Sequence, residues 1–111
     1  MNMKKVVLLC TLGMSTSLLV SKMRKAANEL GIDCSIVAIG EYELKKYEKE
    51  ADIIMLGPQV RYLFNSLRKK VDSNIPITLI NSADYGTMNG NKILNQALAL
   101  MDNKELSTNN L

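Results

Sequence analysis

The stretch VVLLCTLGMSTSLLVSKM, residues 6–23, decides how this chain is read. It opens with a short apolar run that does not alternate with polar residues, as expected of a strand covered on both faces. Cys10 ends the run. Small and hydroxyl residues with one glycine follow it, and then a helix-period stripe begins at Leu19. A strand, a tight loop and a helix N-terminus leave several backbone N–H groups converging on one point, backed by the positive end of the helix dipole. Such a nest is suited to a dianion like phosphate. Cys10 therefore has two readings. It closes a core strand, as buried free cysteines do, or it is a nucleophile at the mouth of an anion site.

Working outward, Ser35–Ile39, Ile53–Leu56 and Ile77–Ile80 read as further buried parallel strands beside Val6–Cys10. Helical stripes lie between them. Leu19, Met23, Ala26 and Leu30 form one, stopped by Gly31. Val60, Leu63, Phe64, Leu67 and Val71 form another, opened by Pro58. Ile93, Leu94, Ala97, Leu98 and Met101 form the last, while the charged segment Tyr42–Glu50 reads as a short surface helix or turn. Strands alternating with helices predict an open α/β domain with a parallel sheet and helices on both faces. One domain over residues 1–102 is expected, with polar, aperiodic residues 103–111 as a flexible tail. In open sheets of this kind ligands bind beyond the carboxyl ends of the strands. That location favours the functional reading of Cys10.

Composition narrows the chemistry. The 111 residues are 47% apolar and 23% charged, ordinary for a globular domain that needs no disulfide or metal staple. The net charge is +3, with acids and bases interleaved (four glutamates among three lysines over Glu41–Glu50), so nucleic acid is not the expected partner. No apolar run has the roughly 18 residues of a membrane span. The apolar run at Val6 is too short for a signal peptide core, so a cytoplasmic protein with reduced thiols is expected. Histidine is absent, which removes Cys–His and Ser–His–Asp machinery and most zinc sites. No metal or other cofactor is expected.

Residues Thr11, Leu12, Gly13, Met14, Ser15, Thr16 and Ser17 are the candidate phosphate-binding loop. Gly13 gives the backbone conformations that a nest demands. Ser15, Thr16 or Ser17 can cap the following helix or add hydroxyl donors. The same dipoles predict a lowered thiol pKa for Cys10. The spacing Cys-x5-Arg-Ser/Thr belongs to the phosphate loop of low-molecular-weight tyrosine phosphatases; here Thr16 stands at the arginine position and Ser17 follows. A threonine cannot supply the planar, bidentate clamp of a guanidinium. Asp84, the one acid in a tempting place, reads rather as a loop start or turn cap. These residues describe a site able to accept a phosphoryl group on sulfur and poor at passing it to water.

The loop LLCTLGMSTSLLVSKM, together with ADIIMLGPQV at residues 51–60 and Tyr85–Gly86, closely resembles the IIB components of the bacterial sugar phosphotransferase system in the lactose/cellobiose (chitobiose) family. The resemblance implies a four-stranded parallel sheet in the order 2-1-3-4, similar to the low-molecular-weight phosphatases. It implies a protein-N(pi)-phosphohistidine–sugar phosphotransferase. Cys10 would take a phosphoryl group from a phosphohistidine on a cytoplasmic IIA protein and pass it to a sugar bound by the membrane IIC permease, without spanning the membrane itself. The lack of histidine fits that division of labour.

Around the loop, Gln59 either approaches the phosphate site or docking surface or merely follows the helix start at Pro58. Tyr85 is either a rim contact or ordinary packing. Leu12 and Met14 are expected to meet partners. Cys34 opens the second strand whereas Cys10 closes the first, roughly 16 Å apart at about 3.3 Å per residue, too far for a disulfide. The rival readings are a phosphatase-like or arsenate-reductase-like enzyme, which lacks its arginine and a resolving cysteine, and a receiver-like module, which lacks its acidic cluster.

Overall fold

The uninterrupted apolar runs form four parallel strands in the computed structural model, which describes residues 3–11 and 14–109 (backbone alone for Met14, Ser15 and 103–109). The strands are β1 (Lys4–Leu9), β2 (Cys34–Ile39), β3 (Ile53–Leu56) and β4 (Ile77–Leu79). Their order is β2-β1-β3-β4, all parallel. Cys10 falls just past β1 but stays fastened to the sheet, its N–H donating to the Ile39 carbonyl at 3.2 Å.

The helices are α1 (Met14–Leu30), α2 (Leu44–Tyr47), α3 (Phe64–Lys70), α4 (Ser82–Gly86) and α5 (Gly90–Asn109). Alternate strand residues bury against opposite layers. Val6, Leu8, Ile53 and Met55 meet Leu19, Met23, Ile93, Leu94 and Ala97 of α1 and α5. Val7, Leu9, Ile54 and Leu56 meet Leu44, Leu63 and Leu67 on the other face. Each fully buried aliphatic side chain contributes about 1.5–3 kcal/mol, so the doubly covered strands carry most of the driving force. The sheet's edges are fastened by side chains. Arg24 donates twice to the Ile36 carbonyl of β2, at 2.7 and 3.2 Å. Gln96 donates to Thr78 and to the Leu79 carbonyl of β4.

Several expectations from periodicity are corrected. Leu30 is 57% exposed, not part of the α1 stripe. It ends the helix just before Gly31, whose φ of 68° turns the chain, at the end of the sheet where Lys4 and Cys34 are only half-buried. Val60–Val71 is not one helix. Pro58–Leu63 is a tighter 3-10 turn with a kink at Val60, and only Phe64–Lys70 is α-helical. Asp84, read as a loop start or turn cap, lies in a short helix, Ser82–Gly86, capped by the Asn81 side chain, which accepts from the Asp84 N–H at 3.0 Å. The backbone of α5 is helical to Asn109. Its buried apolar stripe, among residues whose side chains are described, ends at Met101.

Gly90 sets the distance between α5 and α1. A Cβ there would stand 2.7 Å from the Lys22 carbonyl carbon and 2.8 Å from the Met23 nitrogen, both backbone atoms that cannot swing aside. Gly90→Val is therefore expected to destabilise the fold by about 1–3 kcal/mol, the usual cost of overpacking. Urea unfolding with an unchanged m-value is the check; wild-type stability in this variant would show that the helices separate freely.

Candidate active site

The site is built where the carboxyl ends of β1 and β3 lie side by side. Leu9 pairs with Leu56, and the Gly57 N–H continues the ladder with a 2.9 Å bond to the Leu9 carbonyl. That bond presses Gly57 against Cys10. A Cβ at residue 57 would lie 3.0 Å from Cys10 Cβ, 3.4 Å from Gln59 Oε1 and 3.6 Å from Tyr85 Cε1. A single residue without a side chain thus gathers Cys10, Gln59 and Tyr85, which are far apart in sequence. Tyr85 reaches the site because α4 is fixed at its start by Asn81.

Thr16 is the polar centre of the cluster, 2% exposed in the first turns of α1. The Cys10 thiol donates to its Oγ1 at 3.7 Å. Thr16 Oγ1 in turn lies 3.3 Å from the Thr11 carbonyl and 3.3 Å from the Tyr85 hydroxyl. A hydroxyl has one proton and two lone pairs. All three contacts are met when Cys10 and Tyr85 donate to Thr16 and Thr16 donates to Thr11. The distances exceed the usual range for hydroxyl bonds, so the network is loose enough to rearrange.

Of the loop residues named from the sequence, Thr11 and Ser17 are exposed and Thr16 is buried beside the sulfur. Leu12 and Gly13 lie outside the described residues, as do the side chains of Met14 and Ser15. Asp84 lies in the first turn of α4 and faces a neighbouring groove shared with Arg61 and Lys92. Cys34 stands at the opposite end of the sheet, paired in register with Lys4, and both cysteines are free thiols.

The expected lowering of the Cys10 pKa is corrected. Burial pushes the thiol up, and its side-chain hydrogen bond with Thr16 only partly opposes this. Cys10 is 3% exposed. Removing a charged sulfur from water costs more than one weak hydroxyl contact returns. At rest the sulfur is therefore largely shielded from solvent. The spacing role of Gly57 and the centring role of Thr16 were not readable from the sequence. Both depend on which strand ends become neighbours.

Alkylation of Cys10 in the free protein is accordingly expected to rise with pH about a midpoint above that of an ordinary cysteine, because the thiolate forms only at higher pH. Thr16→Val removes the lowering contact and moves the midpoint further up. An iodoacetamide pH series followed by mass spectrometry measures both; a midpoint below that of free cysteine refutes the assignment.

Comparison with known proteins places this geometry. The family model "PTS system, Lactose/Cellobiose specific IIB subunit" matches residues 5–96. The chain is similar to the oligo-beta-mannoside-specific EIIB component of Bacillus subtilis (strain 168), 42% identical over 103 residues, spanning 92% of this chain and 100% of the relative. It is also similar to the cellobiose-specific EIIB component of Lactococcus lactis subsp. lactis (strain IL1403), 39% identical over 105 residues, with 89% and 97% covered. Among solved structures, the cellobiose-specific phosphotransferase IIB component of Borrelia burgdorferi superposes with a TM-score of 0.78 at 38% identity, covering 93% of this chain and 95% of that one. The lactose-specific IIB domain of Streptococcus pneumoniae, at 19% identity and a TM-score of 0.75 over 88% and 97% of the two chains, shares the fold. A cysteine at the strand end of an open 2-1-3-4 sheet, in a chain matched over nearly its whole length, thus belongs to the lactose/cellobiose-specific IIB subunits, the phosphotransferase components of the sugar PTS.

Proposed function

We propose that Cys10 is the phosphoryl carrier of this subunit. It takes the group from a phosphohistidine on a IIA protein and passes it to a β-linked disaccharide of the cellobiose, chitobiose or lactose class, held by a IIC permease during uptake. The observation that carries this reading is the place of Cys10, between the carboxyl end of β1 and the start of α1, with Thr16 bonded to its sulfur. No helix among the described residues is long and apolar enough to cross a membrane, so the permease supplies the passage.

The transfer is an in-line displacement at phosphorus. The Cys10 sulfur forms the S–P bond as the P–N bond to the donor imidazole breaks, and the imidazole leaves with the electron pair of that bond. The thiol proton, which Cys10 donates to Thr16 Oγ1 in the resting protein, leaves the sulfur as the S–P bond forms, and the departing donor imidazole takes up a proton, so the exchange balances. Loop N–H groups around residues 11–17 hold the equatorial oxygens, so positioning and electrostatics supply the catalysis. In the second step an oxygen of the sugar attacks phosphorus and the thiolate leaves.

Retention of the group against water follows from the same residues. Thr16 occupies the place where the phosphatase loop carries its arginine, so the transition state for hydrolysis lacks a bidentate clamp. Cys10 is also buried at rest, which limits the access of bulk water to the sulfur between transfers. Gln59 and Tyr85, which both come close to the Gly57 position beside Cys10, are the residues we assign to the contact with a docked partner.

Incubation with a phosphorylated IIA protein is expected to add one phosphoryl group to the chain by mass spectrometry, with the acid and base lability of a thiophosphate, and none to Cys10→Ser. Gly57→Ala, which crowds Cys10 Cβ, is expected to slow the transfer about tenfold while the fold is retained. Brisk turnover of p-nitrophenyl phosphate, or labelling that survives in Cys10→Ser, would overturn the carrier reading in favour of a phosphatase-like or arsenate-reductase-like enzyme.

A further inference from the structure

A groove of about 710 Å³ opens beside the site, past the ends of β3 and β4, with Pro58, Arg61, Asn81, Asp84, Lys92 and Gln96 in its walls. Pro58 follows Gly57 and Asp84 precedes Tyr85, so the groove adjoins the rim around Cys10. Arg61 and Lys92 are exposed, and neither side chain makes an ion pair or hydrogen bond among the described residues. Lys92 also sits in the first turn of α5, where the positive end of the helix dipole disfavours a cation. That helix start is served by the Asn89 side chain, which accepts from the Lys92 N–H at 3.1 Å. No described residue accounts for the two charges. The walls include no aromatic face on which a sugar ring would stack.

We infer that this groove receives an acidic surface segment of the phosphohistidine donor protein, its carboxylates meeting Arg61 and Lys92 while the donor histidine faces Cys10. The inference rests on the carrier reading of Cys10. The donor fits better than the permease. Cytoplasmic loops of membrane proteins carry an excess of Lys and Arg, which these cations repel. A carrier that must leave one partner before meeting the next gains from contacts that speed encounter without prolonging the complex, and exposed charges act in that way. Asp84 works in the opposite sense. Its carboxylate shares the groove and repels an acidic segment, which shortens the docked lifetime.

The test is phosphoryl transfer from a phosphorylated IIA protein of the lactose/cellobiose class to the full chain, at low and high salt. Wild-type kcat/KM falls as salt rises. Arg61→Glu with Lys92→Glu lowers kcat/KM at least tenfold at low salt, mainly through KM, and flattens the salt dependence, while the rate of Cys10 alkylation is unmoved. Arg61→Gln with Lys92→Gln gives a smaller loss in the same direction, and Asp84→Asn raises kcat/KM. Wild-type kinetics in the charge-reversed variant would overturn the inference and leave the carrier reading standing. A loss confined to the sugar-phosphorylating step would assign the groove to the permease, and competition by a free sugar phosphate at Arg61 would make it a small-anion site; either result overturns donor docking. A wild-type chain that takes no phosphoryl group from the donor removes the carrier reading and this inference together.

Discussion

The pairing of β1 with β3 is the constraint on which the rest of this molecule depends. One backbone bond, from the Gly57 N–H to the Leu9 carbonyl, extends that pairing past the last strand residues and sets Gly57 against Cys10. Because residue 57 has no side chain, Gln59 and Tyr85 also come within contact of the same point. The core on both faces of the sheet holds this arrangement, with Val6 and Leu8 packed one way and Val7 and Leu9 the other. A one-residue slip in the parallel register would exchange these faces and carry Cys10 away from its neighbours.

Burial has opposite effects on the two things a carrier must do. It raises the pKa of the Cys10 thiol, which makes the nucleophile scarce in the resting protein. It also limits the approach of water to whatever the sulfur holds. For an enzyme that hydrolyses, the first effect is a handicap with no return. Under the proposed carrier role, with loading and unloading only inside complexes, a thiol shielded at rest protects against loss. The hydroxyl network of Thr16, Thr11 and Tyr85 beside the sulfur is built of long contacts of 3.3 Å.

Much of the fold was legible along the chain. Strand runs without alternation, helical stripes between them and a stop at Gly31 were enough to give an open parallel α/β domain, and the cysteine loop carried the family. The elements that escaped periodicity were short or locally irregular. The kink at Val60 follows a proline turn, and α4 has five residues and buries none of them fully. Met88 adopts a φ of 52° between α4 and α5, a left-handed conformation that no pattern of hydrophobic residues announces. Leu30 satisfies the helical spacing and is nevertheless exposed, because the sheet it would cover has ended.

The sequence by itself determined the strand and helix succession, the absence of histidine, the cysteine that follows the first strand, and the threonine where the phosphatase loop carries its arginine. These are local properties: periodicity, composition and the spacing of residues within one loop. Only the tertiary structure decided that Gly57, Gln59 and Tyr85 close on Cys10, that Thr16 faces the sulfur, and that the thiol is raised and not lowered. Those outcomes depend on which strand ends become neighbours and on how much water their packing excludes, and both are set by contacts between residues remote along the chain.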